Sequence, residues 1–410
     1  MLAVLTALNF LNYIDRSILF AVQPLIQREF HIGDLEAGYL TTAFILCYMV
    51  AAPLLGFLSD RVARRPIIVG GAIVWSAATL LTAVTHDYRT LLIRHAIVGI
   101  GEASFVAAAP SLIADLFPET RRGRVLSIFF MGIPSGTALG YVLGAWLGQA
   151  HGWRAPFYVA AAPGLLLAFL MAWLREPARG ACDSAPATAE RGTIASLARN
   201  RAFLTATLGM AMMTFALGGM QVWMPTFLVR VRGMSLFGAN LYFAAITLLN
   251  GVVATLSGGW LADRLLSRRR DAYYFVSAVT LAISIPLTLA AIYTGRPAMY
   301  VFVFAAEFAL LLNNGPLNAA VVDAVGARVR GFAIAVNILI IHLLGDALSP
   351  SVMGYLSDRT HSLQTAFLAG VAALAISSAV LMIGKRYAPG LGGGSASTSV
   401  AQLGGDHAEV

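Results

Sequence analysis

The sequence predicts an all-α membrane protein in which twelve transmembrane helices form two pseudo-symmetric six-helix bundles. Three observations predict it. Only 12% of the 410 residues are charged and 58% are hydrophobic, whereas soluble domains are about a quarter charged. Apolar runs of about twenty residues, the length of helix that crosses a hydrocarbon core of ~30 Å, recur along almost the whole chain. The second half of the sequence also echoes the first.

Taken in order, the twelve apolar segments lie near 2–27, 36–58, 66–85, 91–115, 124–149, 154–174, 202–228, 238–262, 273–294, 298–321, 331–355 and 363–384. Between the sixth and the seventh runs REPARGACDSAPATAERGTIASLARNR. It is polar and rich in Ala, Ser and Arg, and it divides the chain into bundles 1–175 and 201–387 joined by a cytoplasmic linker, 176–200. Residues 388–410 are rich in Gly and Ser and read as a flexible tail. GFLSDRVARR (56–65) closes the second segment and GGWLADRLLSRR (258–269) closes the eighth. Glu102, Pro110 and Asp115 in the fourth are mirrored by Glu307, Pro316 and Asp323 in the tenth, and ETRRG before the fifth matches ARVRG before the eleventh. Internal repeats of this kind accompany substrate sites near the midplane between halves.

Charge sets the orientation. With the N-terminus inside, nineteen Lys/Arg fall in interior loops and seven in exterior ones, leaving Arg16 and Arg94 within segments. That is a positive-inside bias with both termini cytoplasmic. The net charge of +8 does not point to nucleic acid, because the arginine clusters alternate with membrane spans. Cys47 sits in an apolar run and Cys182 in the linker, which is no disulfide framework. There is no phosphate-binding loop and no Cys/His metal spacing, so no cofactor or metal is expected. The N-terminus has no basic leader and opens almost at once in membrane sequence, which rules out a visible signal peptide and raises the expectation of a native extension upstream.

Within this apolar background a few polar residues stand out. In LNYIDRS, Asp15 and Arg16 lie ~20 Å into the first helix, where a charge costs ~2.5–3.5 kcal/mol on insertion scales. Asn9, Asn12 and Arg16 fall on one stripe, which Asp15 borders. The plainer reading is an Asp–Arg pair that fixes packing, but adjacent residues point ~100° apart and satisfy each other poorly. Segment four carries Arg94, His95 and Glu102. Arg94 is close enough to the outer end to snorkel. Segment ten carries Glu307, Asn314 and Asn318 on one stripe, and segment eleven His342, Asp346 and Ser349. For these, interhelical hydrogen bonding is the alternative to ligand contact. Gly132, Gly136, Gly140 and Gly144 make a small-residue packing face in segment five.

G-x-L-x-D-R-x-x-R-R resembles the loop motif of the major facilitator superfamily. A narrower resemblance runs through NYIDR, RHAIVGIGEASFVAAAPSLIADLF, LSIFFMGIPSGTALGY, LREPARG and HLLGDALSP. These look like the spinster family of lysolipid and sphingolipid-phosphate transporters. LLLNNGPLN departs from the family by being more polar. The resemblance implies the major facilitator fold and secondary transport by alternating access. It also implies an amphiphilic substrate, a lysophospholipid or sphingoid phosphate whose phosphate meets Arg16 and Arg94.

The expected site is thus one cavity holding Asn12, Arg16, Arg94, Glu307, Asn314, His342 and Asp346. Asp15 and Glu102 are expected to carry protons, with Arg16 holding Asp15 charged until the substrate's head draws it away. Asp60, Arg61, Arg65, Asp263 and Arg264 are expected to latch the cytoplasmic side. The expected partners are membrane lipids, the substrate and protons, and the expected state is a monomer. A proton-coupled exporter of hydrophobic drugs or small organic anions is the alternative within transport. A receptor or membrane enzyme is the alternative outside it, but no nucleophile or metal constellation supports an enzyme.

Overall fold

The computed structural model describes residues 1–179, 181, 193–326 and 329–388. Twelve long helices carry the fold. Those of the first half are α1 (Leu2–Phe30), α2 (Asp34–Ser59), α3 (Arg64–Ala83), α4 (Tyr88–Leu116), α5 (Arg121–His151) and α6 (Ala155–Trp173). Those of the second half are α7 (Arg201–Arg230), α8 (Leu236–Leu266), α9 (Ala272–Tyr293), α10 (Ala298–Asp323), α11 (Arg330–Thr360) and α12 (Leu363–Tyr387). Eleven are long and apolar enough to cross a membrane. The other, α1, is as long but carries Asn9, Asn12, Asp15 and Arg16 near its middle. Among the described residues there is no strand.

Local chemistry marks the helix starts. Asp87, Asn200, Ser235 and Ser362 each accept a backbone N–H from the first turn of α4, α7, α8 and α12, filling donors that a helix start leaves unpaired. Where helices touch, small residues let the backbones close. A Cβ on Gly136 would lie 2.3 Å from the Phe10 carbonyl oxygen and one on Gly140 2.6 Å from that of Ile14, so the glycine face of α5 seats α1 as its spacing predicts. Large side chains such as Trp173, Leu256 and Val50 face outward, where lipid rather than water is their solvent.

Three helices are interrupted. α5 breaks at Met131, α10 breaks at Leu312 and Asn313, and α11 passes through a π segment at His342–Asp346. Asn9 of α1 donates to the Phe129 carbonyl (2.9 Å) beside the α5 break.

The linker is anchored at both described ends. Glu176 accepts the N–H groups of Arg64 and Arg65 (2.9 Å each) at the start of α3, and Arg179 donates to the Ser59, Asp60 and Val62 carbonyls past the end of α2. An anion thus meets the positive end of one helix and a cation the negative end of another. Burial works against ionisation of Glu176, but those N–H groups and the Arg64 guanidinium outweigh it and hold its pKa below the ordinary carboxyl value. A short helix, Ile194–Arg199, with Leu197 buried, leads into α7. Cys182 and the tail beyond residue 388 lie outside the described residues.

The two halves meet at one end only. Every cross-half hydrogen bond and ion pair among the described residues lies between mid-molecule and the end opposite the linker, here called the far end. Tyr141 sits at the centre of this seam. It donates to the Gln221 carbonyl at 2.8 Å and packs edge-on against Phe243.

Candidate functional site

Between the halves lies a cavity. α1, α2, α4 and α5 line it from one half, and α7 and α11 from the other. Its wall is largely aromatic and aliphatic, including Phe20, Phe44, Ile45, Ile133 and Val222. Charge enters from two opposed points, Arg16 on α1 and Asp346 on α11.

Arg16 turns to Glu102, not to Asp15. Its Nε lies 2.6 Å from Glu102 Oε2, and the Glu102 side chain is fully buried. The expectation that Arg16 holds Asp15 fails for the geometric reason that neighbours on a helix point apart, while α4 presents Glu102 to the Arg16 face. Three rings surround the guanidinium, those of Tyr13, Phe44 and Tyr48, with centroids 5.0, 4.8 and 5.1 Å away. Such contacts stabilise a cation in apolar surroundings. Asp15 is buried, near enough to Glu102 to feel its charge, and accepts a long hydrogen bond from Thr79 (3.4 Å) on α3. Of the two buried carboxylates, Arg16 thus pairs with Glu102, and Asp15 has Thr79 as its hydrogen-bond partner. Asn12 is buried just behind. His95 lines the cavity and packs on Phe44, 5.3 Å between ring centres.

On α11 the π segment adds a residue to the turn, a feature frequent at functional sites. His342 and Asp346 bracket it. His342 Nδ1 is 2.9 and 3.0 Å from the two Asp346 oxygens, so an imidazole N–H can be held on the carboxylate. Gly218 lets α7 pass this bend, since a Cβ there would lie 2.6 Å from Asp346 Cβ.

A model of the Major Facilitator Superfamily matches residues 5–350. The chain is similar to Protein spinster homolog 3 of Danio rerio, 36% identical over 388 residues, 88% of this chain and 77% of that protein. It is 37% identical to Protein spinster homolog 1 of Homo sapiens over 386 residues, 87% of this chain and 72% of that protein. The chain belongs to the spinster family of the major facilitator superfamily. A bacterial homolog of the human lysosomal transporter spinster, solved in an inward-facing, unoccupied conformation, matches with a TM-score of 0.85 at 25% identity, over 94% of this chain and 96% of that one. The spinster fold is therefore that of a multi-pass membrane transporter and not of an enzyme.

Of the seven residues expected in the cavity, Arg16 and Asp346 line it, Asn12 and His342 do not form part of its wall, and the other three are engaged elsewhere. Arg94 reaches the end of α3, donating to the Leu81 carbonyl and to Thr85 Oγ1 (2.7 Å). Glu307 accepts from Thr247 (2.7 Å) and Asn250 (3.2 Å) of α8, and Asn314 approaches Thr255 of the same helix. Two residues of the α10 stripe thus face α8, while Asn318 donates to the Asn314 carbonyl of its own helix at 2.7 Å. The loop residues each stay within their own half. Asp60, Arg61, Asp263 and Arg264 are exposed, with Arg61 over Phe57, Asp263 accepting from Tyr273 (3.0 Å) and Arg264 near Trp260. Arg65 donates to the Leu174 carbonyl at 2.9 Å. The buried member of this loop is Arg64, paired with Asp115 and Glu176.

Sequence reasoning missed the α7 wall, Gly218 and Gln221, because α7 carries no charge in its middle. It also missed the aromatic surround of Arg16. The periodic signal there was present, since Tyr13 precedes Arg16 by one turn.

Proposed function

We propose that the protein is a proton-coupled transporter of an amphiphile with an anionic head, working by alternating access. The observation that carries this reading is Arg16, paired with the buried Glu102, at the wall of a cavity shared by both halves that also presents Phe20, Phe44, Ile45, Ile133 and Val222. An anionic head drawn to Arg16 competes with Glu102 for the guanidinium. A buried carboxylate that loses its cation is costly to leave charged, so Glu102 takes up a proton as the substrate binds. Asp15 is the neighbouring carboxylate through which that proton is exchanged. The rings around Arg16 suit the acyl chain beyond the head. Asp346, across the cavity and backed by His342, suits a cationic group on the same ligand, as in a lysophospholipid or sphingoid phosphate. The arginine bias supports a cytoplasmic linker end, and the absence of cross-half bonds there among the described residues supports an inward-open reading of this conformation.

The test is purified protein in liposomes supplied with labelled lysolipids, sphingoid phosphates, neutral lipids and organic anions, with and without a pH gradient. Arg16→Ala is expected to weaken uptake of phosphate-bearing lipids at least tenfold more than that of neutral ones. Equal loss for both overturns the headgroup assignment. Uptake confined to drugs or small organic anions establishes the other transport reading.

A further inference from the structure

The loop motif that closes α2 and α8 occurs a third time, where no cytoplasmic loop exists. Gly56–Arg61 reads GFLSDR, Gly259–Arg264 reads GWLADR, and Gly354–Arg359 reads GYLSDR at the far end of α11. The first two acidic residues, Asp60 and Asp263, are exposed and touch nothing of the opposite half among the described residues. The third crosses the interface. Asp358 Oδ1 accepts the N–H of Asp34 at 2.9 Å and Oδ2 that of Leu35 at 2.8 Å, so one carboxylate caps the first turn of α2. This combines a charge-assisted pair of hydrogen bonds with the positive end of a helix.

The same spot gathers other partners. Asp34, 3% exposed, pairs with Arg230 at the end of α7 and accepts from Ser357 (2.5 Å) and Gln27 (2.7 Å). The backbones touch as well, since a Cβ on Gly354 would lie 2.3 Å from the Asp34 carbonyl oxygen. The pseudo-symmetric position has a neutral version. Gln149, at the far end of α5, accepts the N–H of Phe237 at the start of α8 (3.0 Å).

We infer that the third motif copy is the far-end gate: Asp358 on the α2 terminus, with Asp34–Arg230, holds this side shut and must release before the cavity opens there. The inference rests on the alternating-access reading, but it concerns which side is closed and not what is carried. It is therefore tested without substrate or pH gradient. Spin labels are placed at Asp87 and His361 across the far end, and at Val62 and Arg268 across the linker end, in a background where Cys47 and Cys182 are serine. Asp358→Ala is expected to raise the far-end-open population about tenfold, the equivalent of losing one charge-assisted bond, and to shorten the linker-end distances. Arg230→Ala is expected to act in the same direction. Arg359→Ala is expected to leave both distances unchanged, because among the described residues Arg359 donates to Tyr355 of its own helix (3.0 Å) and not across the halves. Unchanged distances in Asp358→Ala and Arg230→Ala overturn the inference. So does an equal shift in Arg359→Ala, which would make the effect one of surface charge. If Asp358→Ala does not fold, Ser357→Ala and Asp358→Asn are read instead: an intermediate shift supports the gate and none overturns it.

Discussion

The two ends of the molecule carry the same sequence motif in opposite states. At the far end its carboxylate, exposed like the other two, is bonded across the halves, next to the buried Asp34 and Ser357. At the linker end the acidic residues of both copies are exposed, and among the described residues the bonds nearby run within one half. The difference teaches that the motif does not itself specify closure. A carboxylate at a helix end is a latch only when the opposite half presents a helix start to it, and on the alternating-access reading proposed above rocking of the halves would decide which end does so.

The largest effect is expected from freezing this difference. Thr42 and Ser351 face each other across the far end with hydroxyl oxygens 2.6 Å apart, close enough for a disulfide once both are cysteine. With Cys47 and Cys182 replaced, oxidation of Thr42→Cys/Ser351→Cys is expected to stop transport almost completely and reduction to restore it. Transport that survives oxidation would mean the far end need not open, and the comparison would break.

Next in size is the link between cavity and ends. Glu102→Gln leaves Arg16 without its counter-charge and, on the proposed coupling, removes the group that takes up the proton. Uphill transport driven by a pH gradient is expected to fall at least about tenfold, while exchange of labelled for unlabelled substrate persists. Asp15→Asn is expected to do the same more weakly, because Asp15 has Thr79 rather than Arg16 as its hydrogen-bond partner. A mutant that still concentrates substrate with the parent's pH dependence removes these carboxylates from coupling.

Much of this was legible in the sequence, and the reasons for the rest are physical. Helix spans follow from length and apolarity, which are local properties. The Gly132–Gly144 face also reads directly, since only a close-packed helix needs a small residue every fourth position. The interruptions at Met131, Asn313 and Gly345 do not read, because they depend on what neighbouring helices offer the freed backbone. Periodicity gives a stripe but not its neighbour. Glu307 and Asn314 share a face as expected, yet that face meets α8 and not the cavity. Arg94 lies near enough to the membrane edge to find carbonyls at the end of α3. GYLSDR could have been found by searching for the loop motif, but it is hidden when exterior segments are read only for charge.

A smaller effect is expected at the open end. Asp60 makes no cross-half bond among the described residues, so Asp60→Asn is expected to leave this conformation unaffected. It is expected to lower only the opposite state, slowing turnover about two- to fivefold, as for an exposed ion pair, and to leave substrate affinity unchanged. Spin-label distances across the linker end should lengthen on average. Unchanged distances with unchanged turnover would mean that this copy of the motif only marks topology.

The smallest effect separates openness from looseness at the linker end. The half-molecule there is stapled by Glu176, whose carboxylate joins the start of α3 to the end of α6 through Arg64 and Arg65. Glu176→Gln keeps the shape but loses the charge, and is expected to lower the apparent melting temperature by about 1–3 °C near neutral pH. The sign of the pH dependence follows from the lowered pKa. A carboxyl group whose folded-state pKa lies below its unfolded value, 4.5 for this group, stabilises fully above that value and loses its contribution as pH falls through the folded pKa. The gap between parent and mutant should therefore be constant near neutrality and close on acidification below about 4.5. A gap that instead widens in acid would show that Glu176 acts through packing, and that the open end is held by something other than its helix-end charges.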